Sequence, residues 1–130
     1  MSMKINLLVV GGLYAQQSGY SAWQFCKAAL EAGHEITQVF FYQDGVTQGS
    51  ALATPLSDEF DAPSAWGELA QSGVELVVCV SAAERRGIID QEQAKELGVE
   101  QYNLHSSFTV AGLGVFHQAS LDAERTVTFK

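Results

Sequence analysis

The sequence predicts an α/β fold in which a mostly parallel central sheet of about five strands carries helices on both faces. Short apolar runs alternate with segments of helical periodicity, an order that is typical of strand–helix–strand units. The runs are continuously apolar, as in strands buried on both faces. A length of 130 residues, 47% of them hydrophobic, suits a single domain over residues 1–130 with a core of its own.

The first strand and the first helix are predicted from two different patterns. KINLLVV is an unbroken apolar strand, and GGLYAQQSG is the loop that follows it. A helix comes next because apolar residues recur on one helical face, at Ala22, Phe25, Cys26, Ala29 and Leu30. Gly33 stands where a left-handed residue commonly ends a helix.

The second strand is ITQVFFY, which is rich in β-branched and aromatic residues. The small and polar residues from 46 to 58 predict an irregular loop, and loops of that length are often functional. Asp61 is expected to cap a short helix whose first turn tolerates Pro63 and which Gly73 ends.

The second half of the chain continues the alternation. VELVVCV is the third and most uniformly apolar strand, and SAAERRG has room for one or two helical turns. Asp90 is expected to cap the helix QEQAKELG, which Gly98 ends. FTV is a short strand, AGLGVFHQASLD a helix, and RTVTF the last strand.

Charge and hydropathy narrow the classes of partner. The formal charge is −8, from 15 acidic against 7 basic residues, and such a surface repels phosphate backbones. We therefore expect no direct nucleic-acid binding. No apolar run approaches the roughly 20 residues that span a bilayer, and MSMKINLLVVGG is better explained as a first strand than as a secretory signal. The expected compartment is the cytoplasm, with no membrane contact.

The reactive residue types are few and predict neither a metal site nor a cofactor. The three histidines show no metal-ligand spacing, and no Cys-x-x-Cys occurs. The glycine-rich GGLYAQQSGY matches neither the dinucleotide-binding nor the P-loop pattern. Of the two cysteines, Cys26 lies in the apolar helical stripe and is expected in the core, without a disulfide to Cys79.

Cys79 admits two interpretations. Cysteine is among the most buried residue types, so an apolar strand accommodates it as packing material. Its position near the carboxyl end of a strand is also where α/β proteins gather their chemistry, and a helix start nearby favours the thiolate. Arg85 and Arg86 follow closely, either as positive charges that stabilise this thiolate or dock a partner, or as ordinary solvated charges.

Four further residues are candidates for a pocket at the same edge of the sheet. Tyr14, Gln16 and Gln17 lie in the loop after the first strand and are expected to face that edge together with Cys79. His105, in the polar stretch NLHSS, is a candidate acid–base group, although a surface histidine is the more common explanation.

Several segments together resemble the DsrE/TusD family of sulfur-relay proteins over nearly the whole chain. They are QQSGYSAWQFCKAALEAGHEITQVFFYQDGV, TPLSDEFDAPSAW, VCVSAAERRGIID and FTVAGLGVFHQASLDAERTV. The cysteine followed by AAERRGIID and the FTVAGLG stretch are the more specific parts. Ser81 is a mild departure from an alanine-rich stretch. The resemblance implies a DsrEFH-like fold and sulfurtransferase activity without a metal or cofactor.

For this chain the resemblance implies that Cys79 accepts sulfane sulfur as a persulfide from a TusA-like donor. The sulfur would pass to a TusE-like acceptor and end in 2-thiouridine at the wobble position of tRNA. The implied partners are TusB- and TusC-like subunits in a heterohexamer. Two alternatives stay open: a DsrE-type sulfur carrier in sulfur oxidation, and a structural subunit of such a complex without transfer chemistry. A small-molecule or nucleotide-binding α/β domain is the remaining possibility.

Overall fold

Five parallel strands form one sheet in the computed structural model, which describes residues 1–130. The strands are β1 (Lys4–Val9), β2 (Glu35–Phe41), β3 (Glu75–Cys79), β4 (Thr109–Ala111) and β5 (Arg125–Phe129). Their order across the sheet is β4-β3-β2-β1-β5, and every neighbouring pair is parallel. The predicted five-stranded α/β architecture is therefore confirmed, and all the predicted strands occur.

Helices connect the strands. They are α1 (Ser18–Glu31), α2 (Ala62–Gln71), α3 (Val80–Arg85), α4 (Gln91–Leu97) and α5 (Leu113–Asp122). A 3₁₀ helix, Gln43–Gly49, follows β2. None of these helices combines the length and the apolar composition that crossing a lipid bilayer requires.

Consecutive residues of β2 pack on opposite layers, which assigns the helices to the two faces. Phe41 meets Trp66 of α2 edge-on, with ring centroids 5.1 Å apart, whereas Phe40 lies 5.4 Å from Phe116 of α5. Side chains alternate across a strand, so α2 and α5 cover opposite faces. Phe25 of α1 packs on Phe129, which shares the face of Phe41 through the strand register. Helices on both faces are thus confirmed.

The helix ends follow the local chemistry of the sequence. Asp61 accepts a hydrogen bond from the Ser64 backbone N–H, as an N-cap should. Asp90 and Gln93 form a reciprocal capping box at the start of α4. Gly33 and Gly98 adopt positive φ values of 89° and 74° after α1 and α4. These predicted helix ends are confirmed.

The segment predicted as an irregular loop, residues 46–58, is partly helical. Its beginning belongs to the 3₁₀ helix Gln43–Gly49, in which Val46 and Gln48 are buried. The helix packs against β3 and α3. Gln48 is held inside by a hydrogen bond from the indole of Trp66 at 3.3 Å, although the stretch is polar. Tertiary contacts therefore decide the conformation of this segment.

Candidate functional site

Cys79 is the last residue of β3 and stands directly before α3. In the register of the sheet it lies beside Ala111, the last residue of β4. The residue is thus at the carboxyl edge of the sheet, where the sequence predicted it. Its exposed fraction is only 4%, so the thiol is nearly sealed in this conformation. A thiol in this position is reached from solvent only when the surrounding chain moves.

Strand alternation gives the face of the sheet on which Cys79 lies. Val77 pairs in register with Phe40, which packs against α5. Cys79 is two residues after Val77 and therefore leaves the sheet on the same face. That face is covered by α5, none of whose own residues is buried. The thiol accordingly lies on the more thinly covered side of the sheet.

The two arginines differ in their surroundings. Arg86 donates from Nε to Oδ1 of Asp44 at 2.9 Å and from Nη1 to the carbonyl oxygen of Ala82 at 3.0 Å. Arg85 is exposed and makes no side-chain hydrogen bond or ion pair. Asp44 was not anticipated as a functional residue. Its position directly after β2, one strand away from Cys79, was the available signal.

Cys26 is the other thiol and has a different environment. Its side chain is fully buried in the face of α1 that packs on the sheet, and both cysteines are free. Burial raises the pKa of the Cys26 thiol to about 12, because the thiolate would lose its hydration. The prediction of a core cysteine is confirmed, and this thiol is unsuited to nucleophilic chemistry near neutral pH.

Tyr14, Gln16 and Gln17 do not gather around Cys79. They line a cleft of about 750 Å³ between α1 and α2, and Cys79 is not among the residues that line it. The expectation that they share a pocket with Cys79 is therefore wrong. The loop after β1 turns toward α2 because Tyr14 adopts a left-handed φ of 65° and its hydroxyl donates to the carbonyl oxygen of Phe60 at 2.9 Å.

A second cleft, of about 440 Å³, lies beside the Asp44–Arg86 pair. It is formed by the β1 loop, the 3₁₀ helix and the chain after α3, with Gly12, Thr47 and Asn103 in its wall. Cys79 does not line it either. This cleft nevertheless lies at the carboxyl edge of the sheet. The 3₁₀ helix and Arg86, which follows α3, form part of its wall.

His105 is placed by short-range contacts. Its Nδ1 accepts a hydrogen bond from the backbone N–H of Ser107 at 3.2 Å, and its ring lies edge-on to Phe108 with centroids 6.3 Å apart. It lines neither of the two larger clefts. These contacts hold the His105 ring in the turn before β4. No group of three or more His, Cys, Asp or Glu side chains is arranged to hold a metal ion.

Comparison with known proteins identifies the family. A family model described as DsrE/DsrF-like matches residues 3–129.

The chain belongs to the DsrE/DsrF-like family.

Relatives within this family are similar over their full length. The chain is 47% identical over 130 residues to "Sulfurtransferase TusD" of Proteus mirabilis, covering 99% of this chain and 100% of the relative. It is 49% identical over 125 residues to "Sulfurtransferase TusD homolog" of Vibrio parahaemolyticus, covering 95% of each. The resemblance to the DsrE/TusD family is therefore confirmed. These names support sulfurtransferase activity and a sulfur-relay role for DsrE/DsrF-like chains of this type.

Among solved structures, the crystal structure of the ychN protein from E. coli matches with a TM-score of 0.78. The match covers 98% of this chain and 99% of that chain at 18% sequence identity. At that identity the likeness concerns the fold alone. It agrees with the parallel sheet and the helical layers described above.

Proposed function

We propose that this DsrE/DsrF-like chain is a cytoplasmic sulfurtransferase subunit that carries sulfane sulfur as a persulfide on Cys79. A TusA-like protein would supply the sulfur, a TusE-like protein would accept it, and the sulfur would serve wobble 2-thiouridine synthesis in tRNA. TusB- and TusC-like chains would complete a heterohexamer. The observation that carries the proposal is the position of Cys79 at the carboxyl edge of the sheet, in a chain 47% identical to a protein named sulfurtransferase TusD.

The chemistry is an exchange of one sulfur–sulfur bond for another. The Cys79 thiolate attacks the outer sulfur of a persulfide on the donor cysteine, and the bond between the two donor sulfurs breaks. Cys79 then carries the persulfide, and the donor cysteine leaves as a thiolate. No net oxidation occurs, and the same step in the opposite sense passes the sulfur to the acceptor. The step needs an approachable thiolate and no redox partner.

The surroundings of the two thiols favour Cys79 over Cys26 for this exchange. Cys26 is fully buried beneath α1 and keeps its proton well above neutral pH, since its pKa is about 12. Cys79 ends a strand at the carboxyl edge of the sheet and retains 4% of its surface, so its sulfur is reached when the neighbouring chain moves. A persulfide in such a recess is shielded from further oxidation between the two exchanges.

Access to Cys79 depends on the elements around the carboxyl edge. The 3₁₀ helix packs against both β3 and α3, and the Asp44–Arg86 pair joins it to the end of α3. An exposed ion pair contributes only about 0–1 kcal/mol to stability, so little free energy is needed to open it. We propose that Arg86 takes part in this way, by holding or releasing the cover of the site when a partner docks. Arg85, which is unpaired and exposed, is available to the docking partner.

The decisive experiment follows labelled sulfur. A persulfidated TusA-like donor is mixed with the purified complex, and transfer of ³⁵S to this chain is measured on non-reducing gels. Cys79→Ser is expected to abolish labelling, whereas Cys26→Ser, the matched control, keeps it. Uptake by Cys79→Ser equal to the unaltered chain would remove Cys79 from the relay. Loss of transfer in a folded Cys26→Ser would assign the chemistry to the other thiol.

The burial of Cys79 favours one alternative, a structural subunit in the same kind of complex. Alkylation of the complex with iodoacetamide discriminates between the two. A structural Cys79 reacts far more slowly than a free thiol whether or not the donor is present. A carrier cysteine becomes more reactive when the unloaded donor protein docks.

A further inference from the structure

The cleft between α1 and α2 has a wall of aromatic rings. Its members, which we call the aromatic wall, are Tyr20, Trp23 and Phe60. Tyr20 and Phe60 meet edge-on at 5.0 Å between centroids, and Trp23 and Phe60 lie 5.3 Å apart. The indole N–H of Trp23 donates to the carbonyl oxygen of Ala65 at 3.0 Å, which fixes the wall against α2. Such ring faces attract cations as well as apolar groups.

The rim of this cleft is acidic. The four carboxylates among the residues that line the cleft are Asp58, Glu59, Asp61 and Glu68. None of them takes part in an ion pair. Burial, and then the charges of Glu59 and Asp61, raise the pKa of the Tyr14 hydroxyl. The cleft therefore selects for positive charge.

A cation of the chain itself already uses this surface. The Nζ of Lys27 lies 4.8 Å from the ring centroid of Trp23. Lys27 is the only basic residue that lines the cleft, against four acidic ones. An ammonium group is thus compatible with the aromatic wall, and the acidic excess leaves charge for a second cation to neutralise.

The buried residue Gln48 adds a hydrogen-bond donor that has no protein partner. Gln48 lines the cleft and is only 2% exposed. The indole N–H of Trp66 can only donate, so the Gln48 carboxamide must turn its oxygen toward Trp66. The carboxamide lies against Gly19 of α1, and its amino group donates to no protein acceptor but is not sealed from solvent. A donor that keeps some contact with solvent is satisfied by water in the free protein, and an acceptor on a bound molecule can replace that water.

We propose that the α1–α2 cleft binds a basic segment of a partner protein, seating a lysine or arginine side chain on the aromatic wall and a neighbouring backbone carbonyl on the Gln48 amino group. A polypeptide supplies both the cation and the acceptor at short separation, which a simple amine does not. This docking site lies away from Cys79 and does not depend on the sulfur chemistry, so it stands or falls separately from the proposed function.

Short peptides test the proposal on the full chain. The probes are acetyl-Gly-Gly-Lys-Gly-Gly-amide, its norleucine analogue, which lacks the charge, and n-butylammonium, which lacks the carbonyl. Binding is followed by ¹H–¹⁵N NMR at the Trp23 indole and the Gln48 side-chain amide. We expect the lysine peptide to shift both signals with a dissociation constant on the order of millimolar. The norleucine peptide leaves them in place, and n-butylammonium binds several-fold more weakly.

Matched charge variants localise the effect. Asp58→Asn with Glu59→Gln removes two rim charges, whereas Glu96→Gln with Glu100→Gln removes two exposed charges elsewhere, so both proteins have the same net charge. The rim variant is expected to bind the lysine peptide about three- to ten-fold more weakly, and the control within about two-fold of the unaltered chain. Tyr20→Leu should weaken binding by a similar factor.

Three results would overturn the proposal. Equal shifts with the norleucine peptide would mean that charge is not selected. Equal weakening by the rim and control variants would mean that only the overall charge of the chain matters. Binding of n-butylammonium as tight as that of the peptide would make this a site for free amines and exclude the peptide-docking role.

Discussion

Arg86 and Asp44 join two separate strand–helix connections, with the Arg86 Nε 2.9 Å from Asp44 Oδ1. Asp44 belongs to the 3₁₀ helix after β2, and Arg86 directly follows α3, which begins next to Cys79. The side chain of Asp44 is 68% exposed and that of Arg86 is 31% exposed, so water competes with the ion pair. The ion pair is therefore a weak contact at the edge of the sheet where the proposed chemistry takes place.

Breaking the Asp44–Arg86 ion pair should increase access to Cys79. In a Cys26→Ser background, Asp44→Ala is expected to raise the rate of iodoacetamide alkylation of Cys79 about two- to five-fold, because the opening equilibrium shifts by up to about 1 kcal/mol. Mass spectrometry of timed samples gives the rate. Glu92→Ala, which breaks the distant pair with Lys95, is the control and should change nothing. An unchanged rate in Asp44→Ala would exclude the pair as a barrier.

Cys26 should make stability fall at alkaline pH. The unfolded chain loses the Cys26 proton near pH 9.0, whereas the folded chain holds it until about pH 12. Stability present below pH 9 is lost between these values, by about 1.4 kcal/mol per pH unit. Cys26→Ala lacks this loss, so its stability deficit in urea titrations should shrink from pH 8 to pH 10. The tyrosines and lysines are the same in both proteins, so their contributions to the pH dependence of stability cancel in the comparison. Parallel pH profiles would contradict the assignment.

Gly45 should not tolerate a side chain. An added Cβ would overlap the carbonyl oxygen of Val9, a backbone atom at the end of β1 that cannot move freely. We expect Gly45→Ala to lower the free energy of unfolding by about 1–3 kcal/mol. Gly114→Ala, within α5 and with open space around it, should be neutral or stabilising by up to about 1 kcal/mol. Urea denaturation measures both, and equal effects would refute the steric argument.

The capping box of α4 should account for part of the stability. Asp90 accepts from the Gln93 backbone N–H at 2.9 Å, and the Gln93 side chain accepts from the Asp90 backbone N–H at 2.9 Å. Asp90→Ala is expected to cost about 0.5–2 kcal/mol, and Asp90→Ser or Asp90→Asn much less. Thermal unfolding followed by circular dichroism checks the ranking. A serine variant as unstable as the alanine variant would speak against the cap.

The sequence was sufficient wherever short-range chemistry dominates. The continuous apolar runs around Leu7 and Val77 identify buried parallel strands, because covered strands need no polar face. Asp61 and Asp90 reveal helix starts, since their side chains satisfy N–H groups within the next turn. The strand-end position of Cys79 followed directly from those elements.

What the sequence did not reveal depends on contacts between distant segments. Gln48 is a polar residue in a polar stretch, and only Trp66, eighteen positions later, explains its burial. The near-complete burial of Cys79 depends likewise on the layers above and beside β3. The direction of the loop that holds Tyr14 depends on its contact with Phe60, which periodicity cannot predict. Asp58 and Glu59 beside Phe60 were the available signal for the acidic cleft.

The pairing of β1 with β5 has a consequence for biosynthesis. Ile5 pairs in register with Arg125, which lies 120 positions later, so β1 acquires its second neighbour only after the chain between the two strands has been made. Until then, one row of β1 amide and carbonyl groups has no permanent partner, and nascent chains can pair wrongly through it. Non-local closure of this kind also slows folding. Growth at reduced temperature or with added chaperone should therefore raise the yield of native protein.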